Sequence, residues 1–288
     1  MTLSTEKISK KIKLCSLVAL ALAALAIILR TSCLLWFYDA EIGYYTKDIL
    51  PEVFEVLSVV APVLFLGVFF MIKRGDKTSD GKEDNLAIRI SSALALVAFS
   101  LFFVFSIISF VFSTISTSLL TGNVILDIIL ELSVLVSIVY FAMNLFASSA
   151  NRVIQTALGF GIVIWSVCVL AITYFDIYIQ LNSPEKIILH LALVSNMAFF
   201  VGEFRCFVGG VRSKIYLFSA FCSVFFSGAC SIPYIVAYIC GIVNGEEYLL
   251  YNVVLFALFV YSATRLISFS FAELKGEEEM EKVVADEE

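Results

Sequence analysis

Eight long apolar segments constrain the fold of this chain more than any other feature of the sequence. Each is longer than the about 18 apolar residues that mark a membrane-spanning helix, whereas a strand of a membrane barrel needs only about 10. They are rich in Leu, Val, Ile, Phe and Ala and lack the alternation of a strand. The segments cover residues 14–37, 51–72, 86–112, 123–147, 153–175, 185–207, 214–241 and 247–269. The sequence therefore predicts an all-α integral membrane protein with eight transmembrane helices in one bundle.

The composition agrees with a membrane protein and argues against several classes of enzyme. The chain is 61% hydrophobic and 15% charged, against about 45–50% and about 25% in soluble domains. Seven cysteines lie within or at the ends of apolar segments, and we interpret them as apolar residues. One histidine and no Cys-x-x-Cys pattern argue against a zinc site, and no phosphate-binding Gly-rich loop occurs. We expect no catalytic residues, no metal, no cofactor and no nucleic-acid partner.

The distribution of basic residues predicts the orientation in the membrane. Eight spans place both termini on the same side. With the N-terminus inside, all but three of the 19 Lys and Arg residues fall in inner segments, and the exceptions are Arg30, Lys47 and Lys186. Basic residues accumulate in cytoplasmic loops. We therefore expect a multi-pass protein of the cell membrane with both termini in the cytoplasm and a charged cytoplasmic loop at 73–85.

Short patterns recur in the same order in the two halves of the chain. Val-Tyr-x-Ala-x-x-Leu occurs at 139–145 and again at 260–266. Three further pairs precede it in each half: FYD and YFD at 37–39 and 174–176, Pro-Glu at 51–52 and 184–185, and Ser-Ala at 92–93 and 219–220. This order predicts a tandem repeat of four helices, with the copies related by an axis along the membrane normal.

The repeat divides the chain into four predicted parts. These are a cytoplasmic N-terminus at 1–13, a first repeat at 14–149, a second repeat at 150–271 and an acidic cytoplasmic tail at 272–288. Eight of the 25 acidic residues lie in the last 16 positions. The tail is either a solvated, frayed segment or a docking segment for a basic partner.

One stretch of the second half carries a resemblance. LNSPEKIILHLALVSNMAFFVGEFR at 181–205, with YFD before it and SIPYIV after it, resembles uncharacterised polytopic membrane proteins of anaerobic Gram-positive bacteria. The resemblance extends over most of the chain and is strongest from about residue 170 to 270. It implies an eight-helix bacterial membrane protein, and it implies no activity.

Charged residues inside the predicted spans are candidates for function, because they are unfavourable in lipid. Arg30, Glu55, Asp127 and Glu131 all lie in the outer half of the first repeat, and Asp127 and Glu131 share a helix face. One hypothesis is an outward-opening polar cavity in which Arg30 pairs with an acid and the surplus negative charge receives a cation or amine. The alternative is a ring of interfacial charges with one structural ion pair.

Other polar residues and two prolines have both a structural and a functional interpretation. His190, Asn196 and Asn252 are expected to form hydrogen bonds between helices, with a proton relay as the alternative for His190. Glu203 and Arg205 are interpreted as an interfacial pair. Pro62 and Pro233 are expected to kink their helices, either as shape or as gates.

These features predict a small-molecule or cation transporter or permease component that depends on the first repeat. The alternative is a non-transporting membrane sensor or an assembly or scaffold subunit. A transporter needs polar residues that reach both faces of the membrane, and the sequence concentrates them in the outer half. Apart from the lipid bilayer and a small cationic ligand, the sequence identifies no partner.

Overall fold

A computed structural model describes residues 2–40, 42–67, 70, 86–113, 124–146, 152–176, 182–208, 213–243 and 245–286. The predicted loop at 73–85 lies outside these residues. The helices are α1 Thr2–Phe37, α2 Ile49–Leu66, α3 Leu86–Ser113, α4 Val124–Phe146, α5 Arg152–Phe175, α6 Pro184–Phe207, α7 Ser213–Ile239 and α8 Glu246–Asp286. Between α1 and α2, β1 (Tyr38–Asp39) and β2 (Tyr44–Tyr45) form a two-stranded antiparallel hairpin.

The predicted all-α bundle is confirmed: within the described ranges, eight helices are long and apolar enough to cross a membrane. Their boundaries differ from the prediction mainly at the two ends of the chain. The first helix begins at Thr2 and the last continues to Asp286, whereas the apolar spans within them, Lys11–Phe37 and Glu246–Ser270, lie close to the predicted 14–37 and 247–269. The backbone of the acidic segment is helical up to Asp286.

Local sequence signals explain where α6 and the hairpin begin. Ser183 is the N-cap of α6 and accepts a hydrogen bond from the Lys186 backbone nitrogen at 3.3 Å, and Pro184 occupies the first helical turn. The turn between β1 and β2 contains Gly43 with a φ of 76°, a conformation that side chains disfavour. These two signals fix the positions of Glu185 and Tyr45, which meet in the folded chain.

Helices α3 to α8 pack in chain order as a closed ring, because each contacts the next and α8 returns to α3. Aromatic side chains from helices that are not adjacent in the ring fill its interior. Trp165 of α5 lies 5.4 Å from Phe99 of α3 between ring centroids, and Tyr261 of α8 stacks on Phe200 of α6 at 5.8 Å. The ring is therefore a packed core along its aromatic levels.

Helix α7 is the most buried helix of the bundle. It belongs to the ring, and α1 packs against its outer side, while α2 packs mainly on α1. The opposite case is α2, which exposes Val53, Val56, Val59, Val60 and Val63. In a membrane this face contacts lipid, whereas α7 contacts almost only protein.

The two ends of the bundle are distinguished by the elements that meet there. At the terminal end, the start of α1 meets the last part of α8, and Ser16 Oγ lies 2.7 Å from Ser270 Oγ. At the hairpin end, the last part of α1 meets the first turn of α6 beside β2. We use "terminal end" and "hairpin end" in this sense below.

The close approach of α4 and α5 can be tested at Gly161. A Cβ at this position would lie 2.8 Å from Val136 Cγ1 and 3.0 Å from the backbone oxygen of Ser133. Gly161→Leu should therefore lower the free energy of unfolding by about 1–3 kcal/mol through overpacking. Thermal unfolding of the purified protein in detergent measures this effect. The matched control is Val167→Leu on the exposed face of α5, and equal stability of the two variants would contradict this packing.

Candidate functional site

Arg30 is fully buried at the hairpin end, where it connects three helices. Its Nη2 donates to Glu185 Oε2 of α6 at 2.5 Å, and its Nη1 donates to the backbone oxygens of Ala229 and Cys230 of α7 at 2.5 and 3.0 Å. Glu185 lies in the first turn of α6, where the helix dipole favours a negative charge. A buried arginine needs both a counter-ion and hydrogen-bond acceptors, and this site supplies them to Nη1 and Nη2, whereas Nε is buried without a partner among the described residues.

One of the two acceptors on α7, the carbonyl of Ala229, is available because of Pro233. A proline has no backbone N–H, so the carbonyl four residues earlier in a helix loses its intrahelical partner. That carbonyl belongs to Ala229, and Arg30 donates to it. Two residues singled out separately in the sequence thus form one unit: Pro233 opens a backbone acceptor and Arg30 satisfies it.

Tyr45 of the hairpin completes the cluster around Glu185. Its hydroxyl donates to Glu185 Oε1 at 3.1 Å, so both carboxylate oxygens have a partner. Burial, followed by the negative charge of Glu185, raises the pKa of the Tyr45 phenol well above its ordinary value. Tyr45 therefore remains a neutral donor. We call Arg30, Glu185 and Tyr45 the hairpin-end cluster.

A second polar group lies beside this cluster. The side chain of Lys186, which is fully buried, donates to the backbone oxygen of Asp176 at 3.0 Å. Tyr248 donates to Asp176 Oδ2 at 2.9 Å. The loop after α5 is thereby tied to the beginnings of α6 and α8.

A cluster of matching chemistry lies at the terminal end of α6. Glu203 Oε1 accepts a hydrogen bond from the Tyr261 hydroxyl at 2.9 Å and forms an ion pair with Arg265, whose Nε lies 2.7 Å from it. The same Nε donates to the Tyr261 hydroxyl at 3.1 Å. The guanidinium carbon of Arg265 lies 5.4 Å from the centroid of the Tyr261 ring, within the range of a cation–π contact. We call Glu203, Tyr261 and Arg265 the terminal-end cluster. Glu185 and Glu203 are 18 residues apart on one helix, which corresponds to about 27 Å and nearly spans the apolar layer of a membrane.

Between the two clusters, polar side chains line the contact of α6 with α7. Asn196 of α6 donates to Ser227 Oγ at 2.7 Å and accepts from Ser223 Oγ at 2.8 Å. Ser219 and Ser231 continue this row at intervals of four residues, and all five side chains are buried. We call Asn196, Ser219, Ser223, Ser227 and Ser231 the polar seam. It reaches from the turn of Pro233 to the level of Glu203.

The four residues predicted to line one cavity fall into separate groups. Arg30 pairs with Glu185 and not with Glu55, Asp127 or Glu131. Glu55 is exposed on α2, within electrostatic reach of Cys33. Glu131 of α4 accepts a hydrogen bond from Ser106 of α3. Asp127 interacts electrostatically with Glu247. The hypothesis grouped the four residues because all lie in the outer half of the first repeat, whereas α1 packs mainly on α7 of the second half and less on α2 and α8.

The other predicted polar residues make contacts between helices. His190 Nε2 lies 2.9 Å from Thr173 Oγ1 of α5, and Asn252 accepts from Cys230 Sγ of α7 at 3.3 Å. Asn196 bonds α7 through the polar seam. Pro62 lies inside α2. The predicted pair of Glu203 with Arg205 is wrong, because Glu203 pairs with Arg265 and Arg205 is exposed.

Glu185, Lys186 and Arg265 were not predicted as site residues. Glu185 was treated only as a marker of the repeat, and Arg265 only as a cytoplasmic charge. Two signals were available in the sequence. Glu203 and Arg265 lie inside or at the edge of apolar runs, and Ser219, Ser223, Ser227 and Ser231 recur every four residues. Both buried ion pairs use α6, which lies in the second half of the chain, whereas charge-dependent activity was expected in the first half.

We compared the chain with protein-family models, curated proteins and solved structures, and none of them matches. The resemblance drawn from residues 181–205 therefore stays a prediction. The site has to be interpreted from its own geometry.

The buried ion pair at the hairpin end can be tested by substitution. Arg30→Leu should lower the free energy of unfolding by about 3–5 kcal/mol, because Glu185 loses its counter-ion in a buried site. Adding Glu185→Leu should recover part of this loss, since no unpaired charge remains. Circular dichroism during thermal unfolding in detergent measures both variants. The control is Lys47→Leu at an exposed position, which should change stability by less than about 0.5 kcal/mol. An Arg30→Leu protein as stable as this control would contradict the pairing.

Charge reversal should lower the free energy of unfolding at Glu131 but not at Glu55. Glu131→Lys removes the acceptor of Ser106 and places an ammonium group in a half-buried position. It should lower the unfolding free energy by about 1–3 kcal/mol. Glu55→Lys, on an exposed face, should stay within about 0.5 kcal/mol of the unchanged protein. The same thermal measurement applies, and a tolerated Glu131→Lys would show that Glu131 lies in an open aqueous site.

Proposed function

We propose that this chain is a transporter or permease component for a small molecule or cation, described here with both ends closed. The observation that carries the proposal is the pair of matching Arg–Glu–Tyr clusters at opposite ends of α6. Alternating access requires one closure on each side of a central path. Two buried ion pairs joined by side-chain hydrogen bonds are suited to this role, because each has a closed and an open arrangement.

The polar seam is the path that we propose between the two closures. It supplies hydroxyl and amide groups through the middle of the bundle, where Asn196 had been singled out in the sequence and the serines had not. Serine hydroxyls rotate, and each can return to a carbonyl of its own helix, as Ser231 does with Ser227 at 2.6 Å. The seam can therefore exchange hydrogen bonds with a passing solute without leaving buried groups unsatisfied.

The acidic character of the hairpin end favours a cation or an amine as the solute. Asp127 and Asp176 both lie within electrostatic reach of Glu247, and Glu131 lies one turn from Asp127. Such a concentration of carboxylates raises the local concentration of cations. The proposed ligand is accordingly a small cationic molecule or ion.

We also propose the 4+4 repeat and the orientation with both termini in the cytoplasm of a cell-membrane protein. Tyr140 and Tyr261, equivalent positions of the repeated pattern, have hydroxyl oxygens 3.4 Å apart. Residues near a twofold axis lie beside their own equivalents, so this contact supports a repeat. Of the three basic residues at the hairpin end, Arg30 and Lys186 are buried. Lys47 is therefore the basic residue that contributes a surface charge at the hairpin end. This strengthens the excess of basic residues in the inner segments from which the orientation was predicted.

The alternative function is a non-transporting sensor or assembly subunit. The observation that favours it is the aromatic packing inside the helix ring, where Tyr140, Phe141 and Tyr261 leave a dense core. A sensor would bind the same cations and change its stability without moving them across the membrane. Transport and binding can therefore be separated in one set of experiments.

Uptake into liposomes tests the transport proposal. The full chain should accumulate at least one probe from a panel of labelled Na⁺, K⁺ and methylammonium above the level of empty liposomes. Asn196→Leu, which blocks the polar seam, should reduce uptake to that level. The control is Asn252→Leu, a buried asparagine outside the seam, which should retain uptake.

Two results would contradict the proposal. One is equal uptake by the two asparagine variants, which would exclude the seam as the path. The other is an absence of uptake for every probe together with a probe-dependent rise in the unfolding temperature, which would favour the sensor.

A further inference from the structure

The two Arg–Glu–Tyr clusters differ in how the carboxylate oxygens are used. In the hairpin-end cluster, Arg30 occupies Glu185 Oε2 and Tyr45 occupies Oε1. In the terminal-end cluster, Arg265 and Tyr261 both use Glu203 Oε1, and within the described part of the chain Oε2 is buried without a hydrogen-bond partner. One carboxylate is therefore saturated, and the other retains a vacant oxygen.

We infer that Glu203 is a proton-binding residue whose protonation releases Arg265 and opens the terminal end. This inference rests on the proposed function and adds the coupling ion to it. In the step, a proton from water adds to the vacant Oε2 and the carboxylate becomes a neutral carboxylic acid. No other bond is made or broken, except that the hydrogen bond from Arg265 loses its charge assistance.

The surroundings of Glu203 support a proton site. The side chain is 3% exposed, so the charged form is poorly solvated. The groups that interact with it come from several helices: Arg265 and Tyr261 of α8, Tyr140 of α4, Tyr216 of α7 and Cys206 of α6. Tyrosine and cysteine are ordinarily neutral at pH 7, so Arg265 is the charge that holds Glu203 ionised.

The exposure of the two arginines explains why protonation of the glutamate can release its arginine only at the terminal end. The side chain of Arg265 is 11% exposed, whereas that of Arg30 is 0% exposed. When Glu203 becomes neutral, Arg265 can turn its guanidinium towards water at the end of the bundle. Arg30 is fully buried and cannot turn towards water in this way. A proton on Glu185 would have to displace Arg30 or Tyr45, because each carboxylate oxygen already has a partner. The structure therefore assigns proton binding to Glu203 and not to Glu185.

Infrared spectroscopy of the full chain in liposomes tests this assignment without any solute. As the pH falls, the carboxylic acid C=O band of a buried group should appear, and it should shift on exchange into D₂O. Glu203→Gln should lose this band. Glu185→Gln is the matched control on the same helix, and it should keep the band.

Several outcomes would overturn the inference. They are a band that persists in Glu203→Gln, a band that is lost in Glu185→Gln instead, or no pH-dependent band in the unchanged protein. If Glu203→Gln fails to fold, Glu203→Asp replaces it, and an unshifted titration of the band in that variant would equally exclude Glu203. The infrared experiment measures protonation and the uptake experiment measures transport. Failure of the proton inference can therefore be distinguished from failure of the proposed function.

Discussion

The burial of Arg30 is the constraint on which the hairpin end of this bundle depends. A guanidinium inside an apolar helix bundle is stable only with a counter-ion and with acceptors for its remaining N–H groups. Glu185 provides the charge, and the α7 carbonyl freed by Pro233 provides the acceptor. The hairpin joins this arrangement through Tyr45. One side chain thus fixes the relative positions of α1, α6 and α7.

The burial of α7 follows from the same arrangement. It is covered by α1 on one side and lies between α6 and α8 in the ring. A helix in this position has little contact with lipid, so it can carry polar residues along its length. The polar residues on this helix include its serines, and Asn196 of α6 forms hydrogen bonds with two of them. Serine is also small, which allows close packing of helices. The polar seam therefore has a role in packing as well as the proposed role in transport.

Hydropathy was sufficient to predict the helices, because the membrane requires long apolar segments with satisfied backbones. For α5 the predicted range of 153–175 differs by one residue from Arg152–Phe175. The hairpin was not predicted, since its strands have two residues each. The residues of the site were only partly identified: Arg30 and Pro233 were both singled out, whereas Glu185 was not. Pairing across 155 positions of sequence depends on which helices are neighbours, and hydropathy carries no information on that point.

The accessibility of Cys230 tests most directly whether the Arg30–Glu185 pair closes the hairpin end. Cys230 is buried and contributes its backbone oxygen to Arg30. In a protein that retains only this cysteine, a membrane-impermeant maleimide should label it slowly, and Glu185→Gln should make labelling much faster. A protein that retains only Cys240, which is exposed near the same end, should react quickly with and without Glu185→Gln. Equal, slow labelling of Cys230 with and without Glu185→Gln would contradict the claim that this ion pair holds the end closed.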